Sequence, residues 1–353
     1  MKQAVILGSP DTKRTIYFKQ AAEQEGLPVV FVDWKNWRAW QQNNSAEQMF
    51  IKIDPPYWTS CSLEALNQLA DDYIEQLAAL ELWANEQMQE GIGKRTIAFL
   101  NTPSAIITLL DKQICKQKLV QAKIPVTETV GGEALLCGEQ QNADWLFDIM
   151  HRQRIAQVFI KPLKGSGAAG VSAFRWQQAK GQMALYTCAL LQNGTEFINT
   201  KRLRHFSDPS EVIPLLNQIL GLGCIVERWY AKAQYQGFSY DIRAVVQEGT
   251  VDFMLGRLSK GPITNLHLNN HALDIAELAL PERVIEELRT LCQKSAACFP
   301  HLRSVGIDIL LEKDSFKPRI IEMNAQGDLI YNDIYHENYI YRHQARIIKD
   351  WLY

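Results

Sequence analysis

The sequence predicts an α/β region with a parallel sheet followed by a longer α+β region with mainly antiparallel sheets. Three observations carry that reading. Up to about residue 100, short apolar runs alternate with helical stretches. From Pro103 onward the apolar runs follow one another with fewer helices between them. The chain has 353 residues, more than one ordinary core holds, so two or three lobes are expected.

The runs "AVILG" and "VVFVDW" flank a helical stretch, Thr12 to Glu25, giving a β-α-β opening. "SLEALNQLADDYIEQLAALELWANEQM" has apolar residues at helical spacing and neither Gly nor Pro, so it reads as one long helix. "TIAFLN" follows as a buried strand. "SAIITLLDKQICKQKLVQAK" is amphipathic and reads as a single helix with Ser104 as its N-cap. Pro125 ends it, and "VTETV" is extended. After a helix at "ADWLFDIMHRQR", strands are expected at "QVFIKP", "GVSAFRW", "MALYTCALL", "CIVERWY", "DIRAVVQ" and "VDFMLGRLS". Helices intervene at "DPSEVIPLLNQIL" and "PERVIEELRTLCQKSAACF", and an aromatic-rich helix closes the chain and packs on the body.

Composition narrows the partners. Hydrophobic residues make up 47% and charged residues 22%, an ordinary globular balance. The 37 basic and 39 acidic residues leave a net charge of −2, which gives no electrostatic ground for a nucleic-acid partner. No apolar run approaches the roughly 20 residues of a membrane span. "MKQAVILGSPDTKR" reads as a first strand and not a signal peptide. The seven cysteines are odd in number and form no C-x-x-C pair, which points to reduced thiols and a cytoplasmic location.

Two stretches carry chemistry. In "IKPLKGSGAAGV", Lys161 ends an apolar run and the glycines Gly165, Gly167 and Gly170 come after it. A P-loop has the opposite order, with its lysine at a helix start. A lysine at the end of a buried strand needs a counter-ion, and the glycines after it make a phosphate group the expected one. Three glycines and few apolar anchors make Lys164 to Gly170 a segment that a bound phosphate is expected to order. The second stretch is "VGIDILLEKDSFKPRIIEMN", two apolar strands around a turn. A hairpin centred on Ser315 sets Asp308 opposite Glu322, and alternation puts Asn324 on the face of Glu322. Carboxylates among apolar neighbours need cations. An all-oxygen set with few protein ligands suits Mg²⁺, with Mn²⁺ also admissible.

In combination and in order, these segments resemble the ATP-grasp superfamily over residues 101 to 331, most closely the branch of ribosomal-protein glutamate ligases and glutathione synthetases. "LLDKQICKQKLVQAKIPVTET", "FIKPLKGSGAAGV", "CIVERWY", "YDIRAVV", "GRLSKGPITNLH" and "GIDIL…IIEMNAQGDL" carry the resemblance. It implies a Rossmann-like N-terminal lobe (1–100), then a central ATP-grasp lobe with a phosphate lid (101–190) and a C-terminal lobe with the metal site (191–353). It implies ATP and Mg²⁺ as ligands. Lys112 and Lys161 would bind the α- and β-phosphates, with Lys164, Gly165, Ser166, Gly167 and Gly170 forming the lid. Glu227 would mark the hinge that meets adenine, and Asp241 would hold the ribose. Arg243, Arg257 and Asn265 would act on the transferring phosphoryl group and acyl phosphate. Asp308, Glu322 and Asn324 would hold the metal.

The sequence departs from the family's pattern in the spacing of Gly237 and Asp241, and in "AQGD" after Asn324 where Ser-Pro-Gly is common. The activity implied is an ATP-dependent carboxylate–amine ligase, acting on a small molecule or peptide. An ATP-grasp kinase and a non-catalytic nucleotide-binding regulator are the alternatives, and homo-oligomerisation stays open. "HLNNH" sets His267 and His271 four apart, where a helix could offer both to zinc, but no third soft ligand is near. The aromatic stretches 33–40 and 54–60, and Lys13 with Arg14 after the first strand, are candidate substrate contacts. Core packing and a surface helix start account for them equally well.

Overall fold

The alternation at the N-terminus builds four parallel strands in a computed structural model that describes residues 1–57, 60–89, 95–131, 141–165, 168–192, 196–268, 270–327 and 337–353, without the side chains of Lys201 and His267. Strands β1 (Lys2–Gly8), β2 (Val29–Asp33), β3 (Gln48–Ile53) and β4 (Thr96–Phe99) form this sheet in the order β2-β1-β3-β4. β1 is buried from Ala4 to Gly8 because helices cover both faces. Helix α1 (Lys13–Gln24) starts at Thr12, whose hydroxyl accepts from the Thr15 N–H at 3.1 Å. Helix α2 (Trp37–Asn43) follows β2, and the long helix α3 (Leu63–Met88) has the predicted bounds and a Ser62 cap.

The single helix expected from Ser104 is two helices. Thr102 caps α4 (Pro103–Leu110), and Pro103 takes the first turn, where a missing N–H costs nothing. Asp111 then stops α4 with extended backbone and caps α5 (Lys112–Gln121), accepting from Gln113 and Ile114 N–H. The break turns Lys112 toward the next lobe, where its N–H donates to the Leu163 carbonyl at 3.2 Å. "VTETV" is extended and stitches two sheets together by bridges to Ile320 and Glu227.

After α6 (Ala143–Arg152) comes an antiparallel five-stranded sheet, β8-β7-β6-β5-β9. Its strands are β5 (Gln157–Pro162), β6 (Ser172–Gln177), β7 (Gln182–Gln192), β8 (Glu196–Phe206) and β9 (Cys224–Arg228), with α7 (Pro209–Gly221) between the last two. The lobe boundary expected near residue 190 therefore falls inside this sheet, because β8 and β9 both hydrogen-bond into it.

The remaining strands are β10 (Gln234–Tyr235), β11 (Phe238–Gln247), β12 (Thr250–Ser259), β13 (His271–Asp274), β14 (Ser304–Leu311) and β15 (Pro318–Asn324). They form a second antiparallel sheet, ordered β13-β12-β11-β14-β15 with β10 on β11 and with α8 (Glu282–Ala297) packed against it. His267 lies in a 3₁₀ turn, Leu266–Leu268, and His271 opens β13, so the two are not a helical pair. The His271 ring instead meets Phe238 edge-on. Among the described residues no helix is long and apolar enough to cross a membrane.

Two elements tie the lobes. The terminal helix α9 (Tyr339–Leu352) returns to the N-terminal sheet, where Tyr341, Ala345, Ile348 and Leu352 share a core with Ala4, Ile6 and Phe18. At the other end, Leu63 and Leu66 of α3 leave their own lobe and join the core of the five-stranded sheet. Leu63 is 3% exposed, so Leu63→Ala is expected to cost about 2–5 kcal/mol in urea unfolding. An equivalent truncation at exposed Leu82 should change little.

Candidate functional site

The two antiparallel sheets face each other across a cavity of about 700 Å³ that also reaches the N-terminal lobe. Among the described residues its walls carry eight cationic side chains (Lys13, Arg14, Lys112, Lys161, Arg228, Lys232, Arg243, Arg257) against five carboxylates (Asp11, Glu227, Asp241, Asp308, Glu322). The excess favours an anionic ligand, although the whole chain carries −2.

On the larger sheet the register makes the site. Asp241 on β11 pairs with Arg257 on β12, Arg243 with Asp308 on β14, and Asp308 with Glu322 on β15. Alternation puts Asp241 and Arg243 on one face of β11. The predicted pairing of Asp308 with Glu322 holds, and a bulge just beyond Asp308 shifts the turn side by one residue. The side chains form an alternating row. Arg257 Nε and Nη2 donate to the two Asp241 oxygens at 2.7 and 2.8 Å. Arg257 Nη2 also lies 3.1 Å from Asp308 Oδ2. Arg243 donates to both oxygens of Asp308 and, at 3.1 Å, to the Gly327 carbonyl.

Electrostatics follow from this row. Burial alone would raise the Asp308 carboxyl, but Arg243 and Arg257 hold it down at about 2. Burial opposes the charge on Arg257 too, and Asp241 and Asp308 more than restore it. Lys232, 3.8 Å from Asp241 and donating to Thr264 at 2.8 Å, is pushed down by burial to about 8 against the pull of Asp241. Asp241 is thus occupied by Arg257 and Thr264 and is 2% exposed. Its carboxylate holds Arg257 at the cavity wall.

The opposite wall has a second ionic cluster. Glu227, on the same face as Lys161, is 2% exposed and accepts from Lys161 Nζ at 2.7 Å, from Lys116 Nζ, and from the Thr127 hydroxyl at 2.8 Å. Burial would raise its carboxyl, and Lys116 and Lys161 together hold it at about 2. Burial pushes Lys116 down to about 8 despite Glu227. The Glu227 carboxylate is therefore buried among lysines at the cavity wall. Lys161 thus has a counter-ion within the protein, where the sequence makes a phosphate group the expected one.

Lys112 reaches across the cleft, 3.4 Å from Glu322 Oε1 and 3.1 Å from the Gly165 carbonyl. Gly165 and Gly170 have φ of +113° and +68°, values that favour glycine. At Gly170 a Cβ would also meet Pro162 Cγ at 2.8 Å. The Gly170 N–H donates to Asn199, so it is not presented to the cavity. Lys164 pairs with Asp71 on α3, a contact more than a third exposed and of little energetic weight. Ser166 and Gly167 lie outside the described residues. Asn265 and Asn324 line the cavity, as does Glu322, whose side chain is 24% exposed.

Asp308, Glu322 and Asn324 thus offer carboxyl and amide oxygens on one strand pair, a donor chemistry that fits Mg²⁺. The described residues contain no cluster of three or more His, Cys, Asp and Glu, and this set includes an amide. Sequence reasoning missed Lys116, Lys232 and Gln326. Lys116 lies one helical turn beyond Lys112, which was a usable signal. Lys232 sits between strands with no periodicity to mark it.

Both low carboxyls imply acid lability. Glu227 and Asp308 stabilise the fold above their ordinary values of 4.5 and 3.8, and that contribution is lost as pH falls toward 2. Lys161→Met removes one of Glu227's two cations and is expected to cost about 2 kcal/mol at pH 7. The deficit should shrink as pH falls toward 2, where Glu227 protonates in the folded variant before it does in the folded wild type. Its titration in the unfolded chain is common to both and cancels. Thermal melts from pH 2 to 7 check both. A variant as stable as wild type at pH 7 would contradict the structural role of the pair.

No protein-family model and no curated protein matches the chain. Solved structures do. D-cycloserine synthetase DcsG superposes with a TM-score of 0.59 at 14% identity, covering 99% of this chain and 100% of its own. Macrocyclase MdnC from Microcystis aeruginosa MRC, bound with precursor peptide MdnA, gives 0.57 at 11% identity, covering 99% and 100%. D-alanine–D-alanine ligase from Bacillus anthracis gives 0.54 at 12% identity, covering 99% and 96%. ATP-grasp ligase PsnB is similar at 0.55 with Mg and ADP, 14% identical, covering 98% and 97%. At such identities the likeness establishes the fold: an N-terminal α/β lobe followed by the paired β-rich lobes of an ATP-grasp fold.

Proposed function

We propose that the chain is an ATP-dependent carboxylate–amine ligase that forms an amide or peptide bond through an acyl phosphate, releasing ADP and phosphate. The observation that carries this reading is one cavity with phosphate-binding cations on both walls. Lys161 comes from the five-stranded sheet and Arg243 and Arg257, with Asp308 and Glu322, from the larger one, and Lys112 lies between them, 3.4 Å from Glu322 and 3.1 Å from the Gly165 carbonyl. The likeness to ligase folds supports it.

In this reading Lys112 and Lys161 bind the α- and β-phosphates as point charges. Arg243 and Arg257 clamp the transferring phosphoryl group, for which guanidinium forks are suited. A substrate carboxylate oxygen attacks the γ-phosphorus while the bond to ADP breaks. An amine then attacks the acyl carbon, and phosphate leaves with the electrons of the C–O bond. Asp308, Glu322 and Asn324 would hold Mg²⁺, which when bound neutralises phosphate charge. The chain's own contribution is positioning and electrostatic preorganisation. Glycine at 306 serves this geometry, because a Cβ there would strike the Gly327 carbonyl at 2.6 Å, the same oxygen that accepts from Arg243.

Glu322→Ala is expected to abolish ADP release while leaving circular dichroism and melting close to wild type, since it removes a partly exposed charge and not core volume. The assay is ADP release over mixtures of amino acids, peptides and organic acids, with product mass measured. An amide product confirms the reading. A phosphorylated product with no amide would make the chain a kinase. Undiminished turnover in Glu322→Ala would overturn the assignment of the site.

A further inference from the structure

Lys116 is a buried lysine set behind the cavity. It sits on α5 one helical turn after Lys112, is 7% exposed, and is not among the residues that line the cavity. An ammonium has three N–H groups, and three acceptors meet those of Lys116. They are the Thr127 carbonyl at 2.8 Å, the Thr127 hydroxyl at 3.0 Å and Glu227 Oε1. The hydrogen bonds of Lys116 are thus filled by the protein.

Glu227 divides its two oxygens. Oε1 takes Lys116, while Oε2 takes Lys161 at 2.7 Å and the Thr127 hydroxyl at 2.8 Å. Lys161 is placed differently from Lys116. It lines the cavity, and among the described residues Glu227 is its one hydrogen-bond acceptor, so N–H groups are left for the cleft. Two lysines around one carboxylate leave one positive charge, and of the two Lys161 is the one at the cavity. Without the charge of Lys116, Lys161 and Glu227 would form a neutral pair, and an anion in the cleft would compete with the whole of the Glu227 charge.

We infer that Lys116 is a positioning residue for ATP: it neutralises Glu227 from behind the wall, so that the charge of Lys161 stays available to the phosphates. This rests on ATP being a substrate of the proposed ligase, and it deepens that reading by making nucleotide affinity fall in alkali. Burial pushes Lys116 down to about 8 against the pull of Glu227. Among the described residues the charged groups that face it are Glu227 from β9 and Lys161 from β5. The Cys115 thiol, on the same helix, is pushed up by burial to about 12 and stays neutral over this range. Phosphate binding favours the form in which Lys116 carries its proton, so affinity weakens as pH rises through about 8.

The test is equilibrium binding of MgATP to the full chain by calorimetry, at about pH 7 and about pH 9.5. Wild type should bind about tenfold more weakly at the higher pH, the order of effect of one charge. Lys116→Met should already be about tenfold weaker at the lower pH and should lose correspondingly less on going to the higher one. Lys232, which burial also brings to about 8, leaves a fall of its own in both proteins, so the difference between them is the quantity read. Lys116→Met/Glu227→Gln restores one positive charge to the group and should recover wild-type affinity at the lower pH to within about threefold. It should also lack the part of the alkaline fall that belongs to Lys116. This double variant carries the test even where Lys116→Met alone does not fold, because its carboxylate and its second cation are removed together. Wild-type affinity in Lys116→Met overturns the inference. So does a double variant that binds as weakly as Lys116→Met, or one whose alkaline fall equals that of the wild type. Each of these leaves the ligase reading intact. A wild-type chain that binds no MgATP overturns the ligase reading and this inference with it.

Discussion

The row Asp241–Arg257–Asp308–Arg243 fixes the larger sheet. Four charged side chains sit on one face of three neighbouring strands, three of them buried. Their mutual attraction offsets a desolvation cost that none of them meets alone. A one-residue slip of β14 would turn Asp308 to the other face and leave Arg243 without its carboxylate. The register of β11, β12 and β14 is therefore specified by charge as well as by the alternation of apolar residues. Buried ion pairs seldom stabilise a fold more than well-packed apolar residues of the same size. Packing alone gives no account of an alternating charged row at a cavity wall, whereas anion binding does.

The opposing sheet repeats the principle with the signs exchanged. Glu227 stands between Lys116 and Lys161, much as Arg257 stands between Asp241 and Asp308. Each wall keeps its cations oriented by buried carboxylates, so the charges facing the cleft are already desolvated and positioned. In the proposed reaction this ordering is done by folding and not by substrate, which is the physical content of preorganisation. "VTETV" is central to the arrangement. Thr127 gives its hydroxyl to Glu227 and its N–H to Ile320, so one short segment aligns the two clusters.

What could be read from the sequence depended on whether the deciding interactions were local. The Asp308–Glu322 pairing was legible because a hairpin converts sequence spacing directly into register, and the bulge falls on the turn side of the pair. The long helix α3 was legible from its period. The break at Asp111 was not, because helical periodicity runs through it and only the carboxylate's bonds to Gln113 and Ile114 N–H reveal a new cap. The partners of Lys161, Asp241 and Glu227 were illegible for a different reason. Glu227 lies 66 residues from Lys161 and 111 from Lys116, and Asp241 meets Arg257 only once β11 and β12 pair. In the fold Asp241 bonds Arg257, and Glu227 bonds Lys116 and Lys161.

That exchange alters how the cleft would work. A lysine waiting with no counter-ion would make the free protein strained and ligand binding a simple neutralisation. Here Lys161, Arg243 and Arg257 each have a carboxylate partner, so an incoming triphosphate competes for cations that are already satisfied. Affinity then comes from the excess of cations over carboxylates and not from relief of an uncompensated charge. The carboxylates that lose a partner differ in their recourse. Glu227 keeps Lys116 and Thr127, and Asp241 keeps Thr264 with Lys232 close by. Among the described residues, the ion pairs of Asp308 come from Arg243 and Arg257. When both arginines turn to phosphate, it needs another cation. Of the three carboxylates it is the one paired across the strands with Glu322, at the site where the proposed function would put a divalent ion. Arginine transfer to phosphate and metal uptake at Asp308 are thus two halves of one charge balance in the proposed reaction.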